Sequence, residues 1–175
     1  MKISILLPYK ENFSPEYPGA VSLFVYETTR ISKFKKNITV FGNTNFKKKF
    51  PIKYVNIESK KNILSSQTKD YVKRSITLEK EINSSIIEIH NRPTYVRIIS
   101  NEFKDKIISL YFHNDPLSMK GSKKVSERLE LLTKIDKIIF VSKWTQNRFF
   151  LKLDKKLIHK TGIVYPSINK ENKIF

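Results

Sequence analysis

The sequence predicts an α/β fold, a doubly wound, mainly parallel sheet with helices on both faces. Short apolar runs alternate with longer amphipathic stretches along the whole chain. Most of the short runs are continuous in Ile, Val and Leu, which is typical of strands covered on both faces. Strand and helix that alternate at this spacing indicate βαβ units.

Seven apolar runs are predicted as strands, and four segments between them are predicted as helices. The predicted strands are Ile3–Leu7, Ile38–Phe41, Lys53–Ile57, Ile86–His90, Ile107–Phe112, Lys137–Val141 and Ile163–Tyr165. The predicted helices are Ala20–Phe34, Tyr71–Ile82, Ser122–Ile135 and Lys143 to about Leu151. The first three carry apolar residues at the spacing of one helical face. Ser122 and Ser142 are predicted to cap the last two helices at their N-termini.

Length and composition indicate one packed domain. The chain has 175 residues, of which 39% are hydrophobic and 12% aromatic, enough for a core of ordinary size. It contains no cysteine, which excludes disulfides and thiolate chemistry. The apolar stretch after Lys2 runs only from Ile3 to Leu7, too short for a signal peptide or a membrane span. These observations predict a cytoplasmic protein.

The net charge of +18, from 34 Lys and Arg against 16 Asp and Glu, has two explanations. It could serve an anionic partner such as nucleic acid, a lipid head group or a phosphorylated substrate. Compositional drift is the alternative, because Lys, Ile and Asn, present 28, 23 and 13 times, share A/T-rich codons. There are only 6 Arg and no nucleic-acid-binding motif, so no nucleic-acid partner is predicted. Peripheral contact with the anionic inner face of the cell membrane stays open.

Two predicted strands end in the same way, in IIEIHNRP and in IISLYFHNDP. In open α/β sheets, ligands bind outside the carboxyl ends of the strands, near the point where strand order reverses. Loops after three strands should therefore meet at one edge. The residues are Gly19 and Ala20 after the first strand, His90, Asn91 and Arg92 after the fourth, and His113, Asn114 and Asp115 after the fifth. Histidine there suits proton transfer or hydrogen bonding to a sugar.

Other site types are excluded by motif, although each candidate residue also has a local explanation. The four glycines cannot form G-x-G-x-x-G or a P-loop, and no carboxylate pair or histidine cluster stands at metal-ligand spacing. We therefore expect no metal and no bound cofactor. A histidine after a strand often only hydrogen-bonds a nearby carbonyl, asparagines form Asx turns, and prolines end elements. The convergence of three loops is what favours a functional site.

Six segments together resemble the N-terminal domain of family 4 glycosyltransferases, enzymes of the GT-B fold. They are MKISILLP, PGAVSLFVYETTR, IIEIHNRP, ISLYFHNDP, KIIFVSKWTQNRFF and GIVYPSIN, in this order from Met1 to about Asn169. The resemblance implies that residues 1–166 are a Rossmann-like, acceptor-side domain. It also implies that residues 167–175 are a truncated linker toward a C-terminal donor domain that this chain lacks.

The resemblance further implies a retaining hexosyltransferase that uses a nucleotide-sugar and a cell-envelope glycan, such as lipopolysaccharide, or a lipid-linked acceptor. It assigns catalytic roles to His113 and Asp115. Substrate-binding roles fall to Gly19, Ala20, His90, Asn91, Arg92 and Asn114.

The chain departs from the family pattern at two points. Pro18-Gly19 replaces the usual Gly-Gly, which removes an amide donor. The donor domain with its E-x7-E carboxylates is absent, so the chain alone is expected to be inactive. We expect it either to need a donor-domain chain in trans or to be a non-catalytic sugar- or partner-binding domain.

Overall fold

A parallel β-sheet forms the centre of the computed structural model, which describes residues 1–58 and 66–166. Within these residues seven strands pair in the order β3-β2-β1-β4-β5-β6-β7, and every pairing is parallel. The strands are β1 (Ile3–Leu6), β2 (Ile38–Gly42), β3 (Tyr54–Asn56), β4 (Ile86–His90), β5 (Ile107–Phe112), β6 (Lys137–Phe140) and β7 (Thr161–Ile163). The predicted parallel sheet is confirmed. The predicted linker lies outside the described residues.

In the same residues, five α-helices and three short 3-10 segments connect the strands. The α-helices are α1 (Ala20–Ile31), α2 (Gln67–Ile82), α3 (Pro93–Glu102), α4 (Val125–Lys134) and α5 (Lys143–Phe149). The 3-10 segments are Lys35–Asn37, Pro116–Ser118 and Lys155–Lys160. No helix in the described part of the chain has the length and apolar character needed to cross a bilayer.

Helices cover both faces of the sheet and build two separate apolar cores. One core joins α1 to β1 and β2 through Val21, Phe24, Val25, Ile3, Ile5, Ile38 and Val40. The larger core packs the four helices α2, α3, α4 and α5 against the other face of the sheet. Its residues include Tyr71, Val96, Leu132, Phe149, Ile89, Leu110 and Phe140. Alternate residues of each strand supply the two cores, because successive side chains of a strand point to opposite faces. The doubly wound architecture is thereby confirmed.

Polar side chains fix several helix ends. Ser142 Oγ accepts a hydrogen bond from the backbone N–H of Thr145 at 3.1 Å, which confirms the predicted cap of α5. Ser66 caps α2 in the same way, so this helix begins ahead of its predicted start at Tyr71. Asn83 ends α2 in the left-handed conformation, with φ of 51°, a conformation that asparagine adopts more readily than most residues.

Sequence analysis missed helix α3. Pro93 stands at its first position, where the missing N–H of proline has no intrahelical partner to lose. The proline therefore begins a helix and does not merely end a loop. Tyr95, Val96 and Ile99 form the buried face of this helix, at the helical spacing of one to four residues.

The predicted cap of α4 is wrong. Ser122 Oγ instead donates to the carbonyl of Pro116 at 2.6 Å, which ties the buried serine to the preceding turn. The helix begins at Val125, where Glu127 accepts a hydrogen bond from the backbone N–H of Lys124 at 2.9 Å. Most other boundaries agree with the prediction to within one or two residues. The larger difference is at α1, which ends at Ile31 and not at Phe34, and β7 is Thr161–Ile163 and not Ile163–Tyr165.

A buried ion pair joins three segments at the amino-terminal edge of the sheet. Glu79, near the end of α2, accepts from Lys106 Nζ at 2.8 Å and from the backbone N–H of Ser84 at 2.9 Å. Both charged side chains are only 5% exposed. Breaking such a pair by removing one partner leaves a buried charge without compensation. The starts of β4 and β5 therefore depend on this contact.

We expect Lys106→Met to lower the free energy of unfolding by about 3–5 kcal/mol, because Glu79 would lose its cation in a buried position. Urea denaturation followed by circular dichroism measures the loss. Lys80→Met is the matched control, since Lys80 pairs with Glu102 on the surface and should cost no more than about 1 kcal/mol. Equal losses in the two variants would contradict the buried pair.

Candidate functional site

The strand order reverses between β1 and β4, and the candidate residues gather at the carboxyl edge on that side of the sheet. His90 is the last residue of β4, and His113 follows the end of β5 directly. Because β4 and β5 are neighbours with His90 opposite Tyr111, the two histidines leave the sheet side by side. His90 Nδ1 lies 3.0 Å from His113 Nε2. The structure thus brings together the two histidines that sequence analysis placed at one edge.

His90 is the buried member of the pair. Only 1% of its side chain is exposed, and its ring stacks on Tyr111 with centroids 4.4 Å apart and an interplanar angle of 9°. Parallel pairing explains this stacking, since residues opposite each other in a sheet share a face. The aromatic neighbour and the bond to His113 hold the ring of His90 in one orientation.

Asn91 and Arg92 shape the turn that follows His90. Asn91 has a φ of 54°, and its Oδ1 accepts from the backbone N–H of His113 at 3.3 Å. Arg92 bends back, and its Nη1 donates to the carbonyl of Asn91 at 2.8 Å. In this arrangement both side chains support the loops that carry the histidines. Their substrate-binding roles stay predictions.

His113 is the more accessible histidine, and its surroundings favour the neutral imidazole. The ring meets Phe24 of α1 edge-on, with centroids 4.8 Å apart. Burial, and to a smaller extent the neighbouring His90, lowers the pKa of His113 from 6.5 to about 3. Desolvation has this sign because it disfavours the charged form. His113 is therefore an uncharged hydrogen-bonding group near neutral pH.

Asp115 is held by an arginine that sequence analysis missed. Its Oδ2 accepts from Arg148 Nη2 of α5 at 2.9 Å, and its Oδ1 accepts from the backbone N–H of Leu117 at 3.0 Å. The hydrogen bond from Arg148 is the main reason that the pKa of Asp115 is lowered. The carboxylate thus fastens the loop after β5 to α5. Asn114, between Asp115 and His113, is exposed.

Gly19 stands beside a carboxylate that sequence analysis also missed. Glu11 Oε1 accepts from the backbone N–H of Ser22 in the first turn of α1 at 3.1 Å, where the helix dipole favours a negative charge. A Cβ at Gly19 would collide with this carboxylate, so the absence of a side chain makes room for it. A phosphate that reached the amides near Gly19 and Ala20 would have to displace Glu11.

Three residues of this edge were absent from the predicted set, namely Glu11, Glu88 and Arg148. Glu88 had a detectable signal, because it interrupts the apolar strand Ile86–His90. No cluster of three or more metal-ligating side chains occurs in residues 1–58 and 66–166. The expectation that no metal is needed stays untested.

The parallel sheet and its strand order define a Rossmann-like half of the GT-B fold, and solved structures share it over nearly the whole chain. HepE of Anabaena, crystallised with UDP-glucose, matches with a TM-score of 0.62 at 10% identity, over 97% of this chain and 45% of that chain. A glycosyltransferase of Rickettsia africae matches with a TM-score of 0.61 at 15% identity, over 96% and 44%. Sucrose-phosphate synthase of Thermosynechococcus elongatus matches with a TM-score of 0.58 at 9% identity, over 97% of this chain and 49% of that chain.

These likenesses establish the fold. The chain spans about half the length of each of these structures, and a UDP-N-acetylglucosamine 2-epimerase shares the fold with a TM-score of 0.58 at 13% identity, over 93% of this chain and 47% of that chain. The fold therefore serves both glycosyltransferases and an epimerase. No protein-family model matches the sequence, and no curated protein matches it. Membership of family 4 stays a prediction.

We expect the stability of the wild-type chain to fall as pH decreases from about 6.5 toward about 3. In this window the unfolded chain binds a proton at His113 that the folded chain does not, because the folded pKa is the lower one. His113→Gln should make this decline shallower. Urea denaturation at a series of pH values measures the slope. If His113→Gln lowers the free energy of unfolding only through lost packing, the loss should be the same above pH 7 as below it. A pH dependence below 6.5 that is unchanged in the variant would contradict the lowered pKa of His113.

Proposed function

We propose that this chain is the acceptor-side half of a glycosyltransferase that moves a hexose from a nucleotide-sugar to a cell-envelope glycan or a lipid-linked acceptor. The observation that carries this proposal is the neutral His113, held by His90 at the switch-point edge. The same fold occurs in HepE, which was crystallised with UDP-glucose. A neutral imidazole at this edge is a suitable partner for sugar hydroxyls.

The remaining site residues take different parts in this proposal. Asn114 is exposed beside His113 and would bind the sugar. Asp115 would position the loop through its ion pair with Arg148, so it contributes to catalysis indirectly unless it is released. Arg92 could pair with a phosphate or carboxylate of the acceptor, because the guanidinium suits such planar anions. Gly19 and Ala20 would approach a phosphate once Glu11 moves away.

A second half would bind the nucleotide. The structures that share the fold are about twice as long as this chain, so the proposal implies a second, donor-binding half, which the experiment below supplies as a separate chain. The alternative is a sugar- or partner-binding domain without catalysis. No metal or other cofactor is part of the proposal, which requires only the nucleotide-sugar as co-substrate.

We expect the purified 175-residue chain to release no nucleotide from UDP-glucose or UDP-N-acetylglucosamine. A donor half found by co-purification should restore transfer when mixed with it. In that mixture His113→Ala should lower turnover by at least about 100-fold, in the range of a lost proton-transfer group. The melting temperature should fall as well, because the variant loses the contact with Phe24 and leaves His90 Nδ1 without a partner. Turnover is therefore compared at a temperature well below both melting transitions.

His159→Ala is the matched control, because His159 lies on an exposed 3-10 segment. Robust turnover by the chain alone would refute the division into halves. Full activity of His113→Ala in the mixture would remove the histidine from the mechanism. Conversion of UDP-N-acetylglucosamine to its epimer, with no sugar transfer, would indicate that this chain is half of an epimerase.

Peripheral contact with an anionic membrane is a further part of the proposal, supported by the net charge of +18. Two lysine groups flank β2, Lys33, Lys35 and Lys36 before it and Lys47, Lys48 and Lys49 after it. The first group precedes the amino-terminal end of β2, and the second lies in the connection from the carboxyl end of β2 to β3. A surface that faces the membrane would gather both groups.

We expect the chain to co-sediment with vesicles that contain phosphatidylserine, and salt should reverse the binding, because each lysine near the surface contributes about 1 kcal/mol. Glutamate substitution of either lysine triplet should weaken binding, because the substituted triplet would repel the anionic surface. Binding that depends neither on the content of anionic lipid nor on the salt concentration would leave compositional drift as the explanation of the charge.

A further inference from the structure

A carboxylate stands behind the two histidines and was not among the predicted site residues. Glu88 and His90 are two residues apart on β4, so their side chains share one face of the sheet. Glu88 Oε2 lies 3.6 Å from His90 Nε2. Glu88, His90 and His113 thus form a row, with the carboxylate at one end and the accessible imidazole at the other.

The position of Glu88 determines where His90 carries its proton. Nε2 of His90 is buried and makes no hydrogen bond with any described residue, and an unpartnered buried polar atom is costly. A movement of about 0.5 Å would bring Glu88 within hydrogen-bonding distance of it. A protonated Nε2 would be attracted by the carboxylate, whereas a bare lone pair would be repelled. The neutral ring therefore favours the proton on Nε2.

The position of the proton on His90 determines the tautomer of His113. With Nε2 protonated, Nδ1 of neutral His90 has only a lone pair and must accept in the 3.0 Å contact with His113. Nε2 of His113 then donates, and its remaining nitrogen, Nδ1, is left with a lone pair. Among the described residues no group donates to His113 Nδ1.

We propose that Glu88 is a positioning residue that fixes the tautomers of His90 and His113, so that His113 offers a hydrogen-bond acceptor, at Nδ1, to a hydroxyl group of the bound sugar. The tautomer assignment rests on geometry alone, whereas the ligand class rests on the function proposed above. A hydroxyl can donate to this lone pair. A fully ionised phosphate or a carboxylate cannot, because it has acceptors only.

The low pKa of His113 supports the same conclusion, because a neutral ring keeps its acceptor. Tyr111 closes the row from the neighbouring strand. Its ring stacks on His90, and its hydroxyl donates to Glu88 Oε1 at 3.4 Å. The ring limits the rotation of His90. The hydroxyl contacts only Oε1, whereas Oε2 is the carboxylate oxygen near His90.

The tautomers can be measured directly by NMR on the whole chain labelled with ¹⁵N. Long-range ¹H–¹⁵N correlations connect the carbon-bound protons of each imidazole ring to its two nitrogens. At pH 7 we expect protonated Nε2 and unprotonated Nδ1 in both His90 and His113. Single His→Gln variants assign the signals. A proton on Nδ1 of His90 would overturn the proposal, whatever the chain's activity proves to be.

Glu88→Gln tests the carboxylate itself with almost no change in shape. The amide can offer an N–H as readily as an oxygen, so the opposite tautomer of both rings should become detectable. Glu88→Leu should give the same result by removing the acceptor. Tyr111→Phe is the matched control, since it keeps the stacked ring and the carboxylate and should keep the wild-type tautomers. Unchanged tautomers in both Glu88 variants would show that Glu88 does not position the histidines.

The ligand class is tested with two probes, glucose and inorganic sulfate, titrated into the same sample at pH 7 and constant ionic strength. Sulfate is the oxyanion probe because it carries no proton at this pH and so has acceptors only. Glucose should shift the Nδ1 signal of His113, and the shift should be at least halved in Glu88→Gln. Sulfate should shift it less. An equal or larger response to sulfate, or no response to glucose, would overturn the hydroxyl assignment. Neither result depends on sugar transfer, so failure here is distinct from failure of the proposed enzyme activity.

Discussion

The parallel pairing of β4 with β5 is the constraint on which the site depends. A parallel register sends both chain ends to the same edge, and the pairing of His90 with Tyr111 leaves His113 just beyond its neighbour. An antiparallel pairing would place the two His-Asn turns at opposite ends of the sheet. The 3.0 Å contact between the imidazoles is therefore a consequence of sheet topology. Local loop chemistry only refines it, through the backbone bond to Asn91.

Sequence patterns were sufficient for the sheet and for the convergence of the two histidines, because both follow from long continuous apolar runs and from strand direction. They were insufficient for α3, since a proline that can begin a helix has the same appearance in sequence as one that ends a loop. They also failed for the partners of site residues. Nothing in one sequence indicates that Arg148 meets Asp115, 33 residues away, or that Glu11 reaches the start of α1. Such contacts depend on how helices pack across the sheet.

The buried polar groups at the two edges of the sheet differ in kind. At the amino-terminal edge, Glu79 and Lys106 form an ion pair, so the buried charge is compensated even though Glu79 Oε2 has no hydrogen bond among the described residues. At the carboxyl edge, His90 is just as buried, and its Nε2 has no hydrogen bond among the described residues. A fold tolerates such a group more easily when the group can stay neutral, as an imidazole does. The two edges thus differ in the charge of their buried groups, an ion pair at one and an imidazole at the other.

Two charged positions of the candidate site are already occupied from within the chain. Glu11 takes the place of an anion at the start of α1, and Asp115 neutralises Arg148. What remains at the centre is an uncharged imidazole with a lone pair. Because the imidazole of His113 is uncharged, attraction of an anion to this group would not select the ligand. A hydrogen bond from a neutral hydroxyl would select the ligand. Hydroxyl groups can donate such a bond, whereas the fully ionised phosphates of a nucleotide-sugar cannot.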